Sequence, residues 1–266
     1  MTKVLITVKT YPTISTKYDE LVCTAGFTEE GKFIRIYPIQ FRRLGYENQY
    51  KKYEWIDLDL VKNEEDFRPE SFRPRTLDLE PKRLSSINTD NNWSERKNIV
   101  LKKVYDNMNQ LILEAKNKQI GTSLAVFKPT KIVDFIWEEV EREWGKNKIA
   151  QLQQMSLFGD NGNIVRKLPY KFSFIFEDVT GKRRTMMIED WEVGALFWRY
   201  ANDEKIACEK VKQKYFDDFA KTKDLYFFLG TTKQYHYVAP NPFVIIGTFH
   251  PTFPKIQKVD SQLKLF

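Results

Sequence analysis

Apolar positions fall on alternate residues at the start of the chain: Val4, Ile6 and Val8 share one parity, and Leu21, Cys23 and Ala25 repeat the pattern. A period of two marks a strand with one buried face, so both segments are predicted strands, separated by the turn chemistry of Tyr11, Pro12 and Ser15. A turn between Gly26 and Gly31 leads into a third strand at 32–38. There Ile34 and Ile36 share one face, while Phe33, Arg35 and Tyr37 share the other. Pro38 ends it, and Phe41, Arg42 and Arg43 follow on a loop. A fourth strand at 53–61 turns Ile56, Leu58 and Leu60 inward and Tyr53, Trp55, Asp57 and Asp59 outward. Strands this closely spaced predict a β-rich N-terminal domain, a small barrel or a curled antiparallel sheet.

The period changes after residue 92. Asn92 and Glu95 form a capping pair for a helix whose apolar stripe runs from Leu101 through Val104, Tyr105, Met108 and Leu111 to Ala115. Strands are expected at 123–127 and 132–137, then a charged helix at 138–157 and a glycine- and asparagine-rich loop at 158–163. Tyr170, Phe172, Phe174 and Phe176 line one side of a strand, and Val179 to Lys182 turn it back into a partner at 185–188. Asp190 and Asp203 are placed to cap two further helices, the first carrying the small pair Gly194 and Ala195. Two apolar strands at 225–231 and 243–249 close the pattern. Hairpins around a middle block of helices predict an α+β chain: a β-rich domain at 1–92, then a mixed α+β domain at 93–266 with hairpins and packed helices.

Composition narrows the class. No apolar run approaches the roughly 18–20 residues of a membrane span, and the N-terminus reads as a strand rather than a leader, so a soluble, bacterial-type protein of the cytoplasm is expected, without a membrane partner. Cys23 and Cys208 are the only cysteines and lie in unrelated segments, which predicts two reduced thiols and neither a disulfide framework nor a cysteine zinc site. The net charge of +7 is uneven: residues 96–135 and 223–266 carry the basic excess, and the rest is balanced. No continuous basic tail exists, so a phosphate-tracking groove would have to be assembled by folding.

Candidate chemistry comes last. The sequence holds no phosphate loop, dinucleotide fingerprint, nucleophile elbow, paired helical histidines or calcium loop. Arg68, Arg73 and Arg75 lie in a proline-interrupted segment at 66–75, where planar guanidinium forks suit phosphate; the structural alternative pairs them with Asp66, Glu70 and Asp78. With the Phe33/Arg35/Tyr37 row, Arg42 and Arg43, they form the predicted nucleic-acid surface, DNA or RNA, with an unpaired or modified base as the specific target. The alternatives are an enzyme acting on nucleic acid or a nucleotide, such as a nuclease or base-processing activity, and an interaction subunit of a larger complex. Catalytic candidates are Asp57, Asp59, Asp178, Glu189, His236 and His250, with Lys182 completing a nuclease-like set beside Asp178 and Glu189. No cofactor is expected unless that nuclease reading brings magnesium, and no resident metal site is predicted.

Overall fold

The computed structural model describes residues 1–15, 19–76, 78–147, 149–150 and 164–254. Its N-terminal part is a curled half-barrel. Strands β1 (Thr2–Lys9), β2 (Thr13–Ser15), β3 (Asp19–Thr28), β4 (Phe33–Ile39), β5 (Glu54–Leu58), β6 (Leu60–Lys62), β7 (Ser71–Pro74) and β8 (Lys82–Ser86) make one sheet of order β6-β7-β4-β3-β1-β5-β8, with β2 on β3. Neighbours are antiparallel except β4 and β7, which run parallel. The strand parities put Val4, Ile6, Ile34, Ile36, Ile56 and Leu58 into the hollow of the curl, where Phe41 and Tyr50 complete a buried cluster.

The second part follows a helix, α1 (Asp90–Val100). The apolar stripe expected to continue as one helix to Ala115 is broken: residues Val104–Tyr105 form a short strand, β9, and a separate helix, α2 (Met108–Lys116), begins at Asn107. Asn107 accepts hydrogen bonds from the backbone N–H groups of Asn109 and Gln110, which satisfies two donors that helix geometry leaves open. Strands β10 (Leu124–Phe127), β14 (Tyr226–Thr231) and β15 (Phe243–Phe249) join β9 in one sheet, while β11 (Lys131–Glu139), β12 (Tyr170–Glu177) and β13 (Arg183–Met187) form another. Helices α3 (Trp191–Arg199) and α4 (Glu204–Lys212), capped as expected by Asp190 and Asp203, and a π-helical turn at Gln213–Ala220 cover these sheets. The helix expected at 138–157 gives way at its start to the end of β11, and much of it lies outside the described residues. The loop at 158–163 lies outside them entirely.

The chain is therefore α+β, with a curled N-terminal sheet followed by hairpins and packed helices. A third cluster straddles the two parts: Val8, Ala25, Phe27 and Tyr53 from the first meet Val100, Leu124, Val126, Phe228, Ile246 and Phe249 from the second. Tyr53 was expected to face outward; it is buried here with a positive φ of 62° and the Arg96 guanidinium 3.9 Å above its ring. Among the described residues, no helix is long and apolar enough to cross a membrane.

Candidate nucleic-acid interface

Strand β4 was expected to show its Phe33/Arg35/Tyr37 face to solvent, and instead the second part of the chain packs on Phe33 and Arg35, leaving Tyr37 to line a cavity. Phe33 stacks on Phe27 with ring centroids 4.3 Å apart and meets Phe228 edge-on at 5.8 Å. It is a packing residue of the seam. Arg35, only 2% exposed, spans the seam. Its guanidinium donates to Ser71 Oγ at 3.1 Å, Ser123 Oγ at 3.0 Å, the Ser123 carbonyl at 3.2 Å and the Thr231 carbonyl at 3.3 Å. These acceptors come from β7, the segment entering β10 and the end of β14, so one side chain ties together three elements of different parts. Burial, and next the neighbouring Arg68, lower the Arg35 pKa from its usual value.

Arg68 is also buried. Its guanidinium grips Asp66 through contacts of 2.5–3.2 Å and donates to the Thr231 carbonyl. Burial opposes ionisation of Asp66, but the Arg68 bonds outweigh it and hold the carboxyl at about 2. The structural alternative for this pair is correct. It fails for the other two arginines. Arg75 pairs with Asp59 at 2.6 Å rather than Asp78, and among the described residues Arg73 donates to the backbone carbonyls of Pro74 and Arg75. Glu70 accepts from Ser123 instead, through its backbone N–H at 3.0 Å and its hydroxyl at 2.7 Å.

Beside this network opens a cavity of about 690 Å³, lined by Cys23, Arg35, Tyr37, Pro38, residues 63–66, Arg68, Arg73, Pro74, Arg75, Thr76 and residues 231–233. Five of the eight predicted nucleic-acid residues therefore share one wall: Arg35, Tyr37, Arg68, Arg73 and Arg75. Arg35 and Arg68 are committed to the floor. Arg73 and Arg75 are exposed, and across from them Lys233 donates to the Glu65 carbonyl. The lining holds five arginine or lysine residues against three carboxylates, Glu64, Glu65 and Asp66. The remaining predicted residues lie elsewhere: Arg42 pairs with Glu20 at 2.6 Å, and Arg43 lines a smaller recess of about 170 Å³ with Leu44, Leu79 and Pro81. Lys233, Asn63 and Thr231 were not predicted. A Gly-Thr pair at the end of the penultimate strand was visible in the sequence, but nothing local tied it to the arginines.

The catalytic candidates do not converge. Asp178, at one end of the β12–β13 hairpin, is committed to Thr180 and to Arg184 at 2.9 Å; burial opposes its charge, yet these bonds keep its pKa below the usual value. Glu189 follows the other end of the same hairpin, roughly 20 Å away at about 3.3 Å per residue, and burial raises its pKa. The nuclease-like set with Lys182 is thus not assembled. Asp57, in β5, and Asp59, in the step from β5 to β6, are both half-buried, and Asp59 is engaged by Arg75.

His236 and His250 stand at opposite ends of the β14–β15 hairpin and share no site. His236 is fully buried with Nδ1 2.8 Å from Thr231 Oγ1. His250 stacks on Phe219 at 3.6 Å, and burial, assisted by Lys52, pushes its pKa down to about 4. Among the described residues, no group of three or more histidine, cysteine, aspartate or glutamate side chains could hold a metal. Cys23 and Cys208 are free thiols.

Residues 82–266, more than half of the sequence, match the family described as Domain of unknown function DUF8757, and the chain belongs to that family. Residues 1–102 match a second, described as Domain of unknown function DUF8758. No curated protein matches the chain.

Proposed function

We propose that the protein binds single-stranded nucleic acid and seats one unpaired nucleotide in the cavity between the curled sheet and β14. The observation that carries this reading is the combination, in one cavity of about 690 Å³, of an apolar wall at Tyr37 and Pro38 with two exposed cations, Arg73 and Lys233, whose side chains donate to backbone carbonyls. Cavities of roughly 300–1,000 Å³ suit ligands of nucleotide size. An arginine whose partners are carbonyls keeps its full charge and unused donors for a phosphate. A paired base cannot enter such a cavity without leaving its duplex, which favours loops, ends and single strands. The same reading places the protein in the cytoplasm, where both thiols stay reduced.

Fluorescence anisotropy against single- and double-stranded DNA and RNA at about 50 and 200 mM salt tests the proposal. The expected result is binding to single strands that weakens with salt, and a salt slope smaller by about one for each of Arg73→Gln and Lys233→Gln. Absence of salt-sensitive binding to all four ligands sinks it.

A further inference from the structure

The two loops that flank the cavity also carry exposed aromatic rings that meet each other. Phe67 sits between cavity residues Asp66 and Arg68 and is 48% exposed; Tyr237 follows the Thr231–Lys233 stretch and is 36% exposed. Their rings stack on each other, centroids 4.8 Å apart and 22° between planes. Below them lies the buried His236 ring, edge-on to Phe67 at 5.4 Å and to Tyr237 at 4.6 Å.

That support is continuous with the cavity floor. His236 bonds the Thr231 side chain, and the Thr231 carbonyl takes both Arg35 and Arg68. The ledge is therefore held at a fixed position relative to the cavity before any ligand arrives. A platform held in this way loses little freedom on binding, which is what efficient stacking requires. Its chemistry is sequence-tolerant, because every base has a π-face.

Resting on the reading of the cavity as a nucleotide site, we infer that Phe67 and Tyr237 form a second subsite, on which the base adjacent to the one in the cavity stacks. The occupant is thus an unpaired strand of at least two nucleotides, with the intervening phosphate near Lys233. Charge favours this occupant over an apolar peptide: the lining next to the ledge is charged throughout, with Arg73, Arg75 and Lys233 exposed beside Glu64 and Glu65, and counting the buried Arg35, Arg68 and Asp66 it carries five cations against three carboxylates.

The test uses the full chain and fluorescein-labelled ten-residue DNA and RNA strands that are abasic except for one T or U, or for two adjacent ones. Wild type is expected to bind the better two-base strand about tenfold more tightly than its single-base counterpart, well beyond the roughly twofold gain that two choices of cavity base give by counting. Phe67→Ala and Tyr237→Ala should each remove most of that difference while leaving affinity for the single-base strand unchanged. Phe67→Leu, which keeps apolar bulk over His236 but offers no ring face, should behave like Phe67→Ala and retain the wild-type melting temperature. If Arg73→Gln weakens binding but Phe67→Leu leaves the tenfold difference intact, the ledge is only a cover for His236 and this inference is overturned while the cavity reading stands. If wild type binds none of the strands, the cavity reading falls and takes the ledge with it.

Discussion

Arg35 holds a charge inside the protein because four oxygens from three separated segments converge on it. Removing the side chain takes a charged donor from all of them, although each keeps another partner: the Ser123 carbonyl the Thr231 N–H, the Thr231 carbonyl Arg68, and the two hydroxyls Glu70 and Asp66. Hydrogen bonds to a charged group contribute about 1.5–3 kcal/mol, so Arg35→Ala should destabilise the fold by roughly 2–4 kcal/mol, read as a lower urea midpoint. Arg35→Lys should recover only part, since one ammonium cannot serve both the two hydroxyls held by Nη1 and the two carbonyls held by Nη2, as a planar fork does. An unchanged midpoint would mean the seam does not depend on this residue.

His250 gives a pH signature of known sign. Its folded pKa of about 4 lies below the usual 6.5, so on acidification the unfolded chain takes up a proton that the folded one refuses. Stability is therefore full above 6.5 and is lost as pH falls from 6.5 toward 4. Between pH 7.5 and 5 this amounts to about 2 kcal/mol. Lys52, Glu192, Lys214 and Asp218 all face the ring; Glu192 and Asp218, held below their usual values, add a loss of the same sign at the acid end of the window. His236, also lowered by burial, acts in the same direction. The His250→Phe variant retains a ring on Phe219 and should flatten the His250 share of the profile in urea melts at several pH values; an unaltered profile would assign the slope to other groups.

At the scale of elements, α3 illustrates how close packing depends on a missing side chain. A Cβ on Gly194 would stand 2.2 Å from the Tyr11 ring, whose hydroxyl accepts from Trp198 Nε1 at 2.7 Å and donates to the Arg166 carbonyl at 2.8 Å. Alanine is the better helix former by roughly 1 kcal/mol, yet Gly194→Ala should lose about 1–3 kcal/mol, because the ring is fixed by two bonds. Chemical denaturation decides the sign, and a stabilised variant would show that Tyr11 can give way.

The small pair at 194–195 was legible as a close-packing signal, as were the strands of both halves, because the period of two and the local caps at Asp190 and Asp203 are written in neighbouring residues. What sequence periodicity could not show is what covers a face. On β4 it separated Ile34 and Ile36 from Phe33, Arg35 and Tyr37 correctly, but the second face meets residues 123, 228 and 231, almost a hundred or more positions away. The break between α1 and α2 was hidden for the same reason: Val104 and Tyr105 pair with Val126 and Phe127, a long-range contact that overrides a helical stripe. Lys233 had no local companion to mark it.

For the whole molecule, the decisive feature is that the seam is both apolar and polar. Val8, Phe27 and Tyr53 pack against Val126, Phe228 and Phe249, and the Arg35 network bridges the same boundary. Lys52 adds a second bridge: burial would lower its pKa, but Asp190 at 2.7 Å and Glu192 at 3.1 Å outweigh this and keep it charged. Separating the halves would expose the shared cluster to water and give up the contacts of Arg35 with Ser123 and Thr231 and of Lys52 with Asp190 and Glu192. The two halves are therefore expected to melt together. Calorimetry of the full chain should show one transition, coincident with tryptophan fluorescence and far-ultraviolet circular dichroism. Breaking the bridges by combining Arg35→Ala with Lys52→Met should either lower that single transition or split it in two. Two well-separated transitions in the unaltered protein would show that the halves are stable on their own, and that the cavity between them depends on docking rather than on one continuous fold.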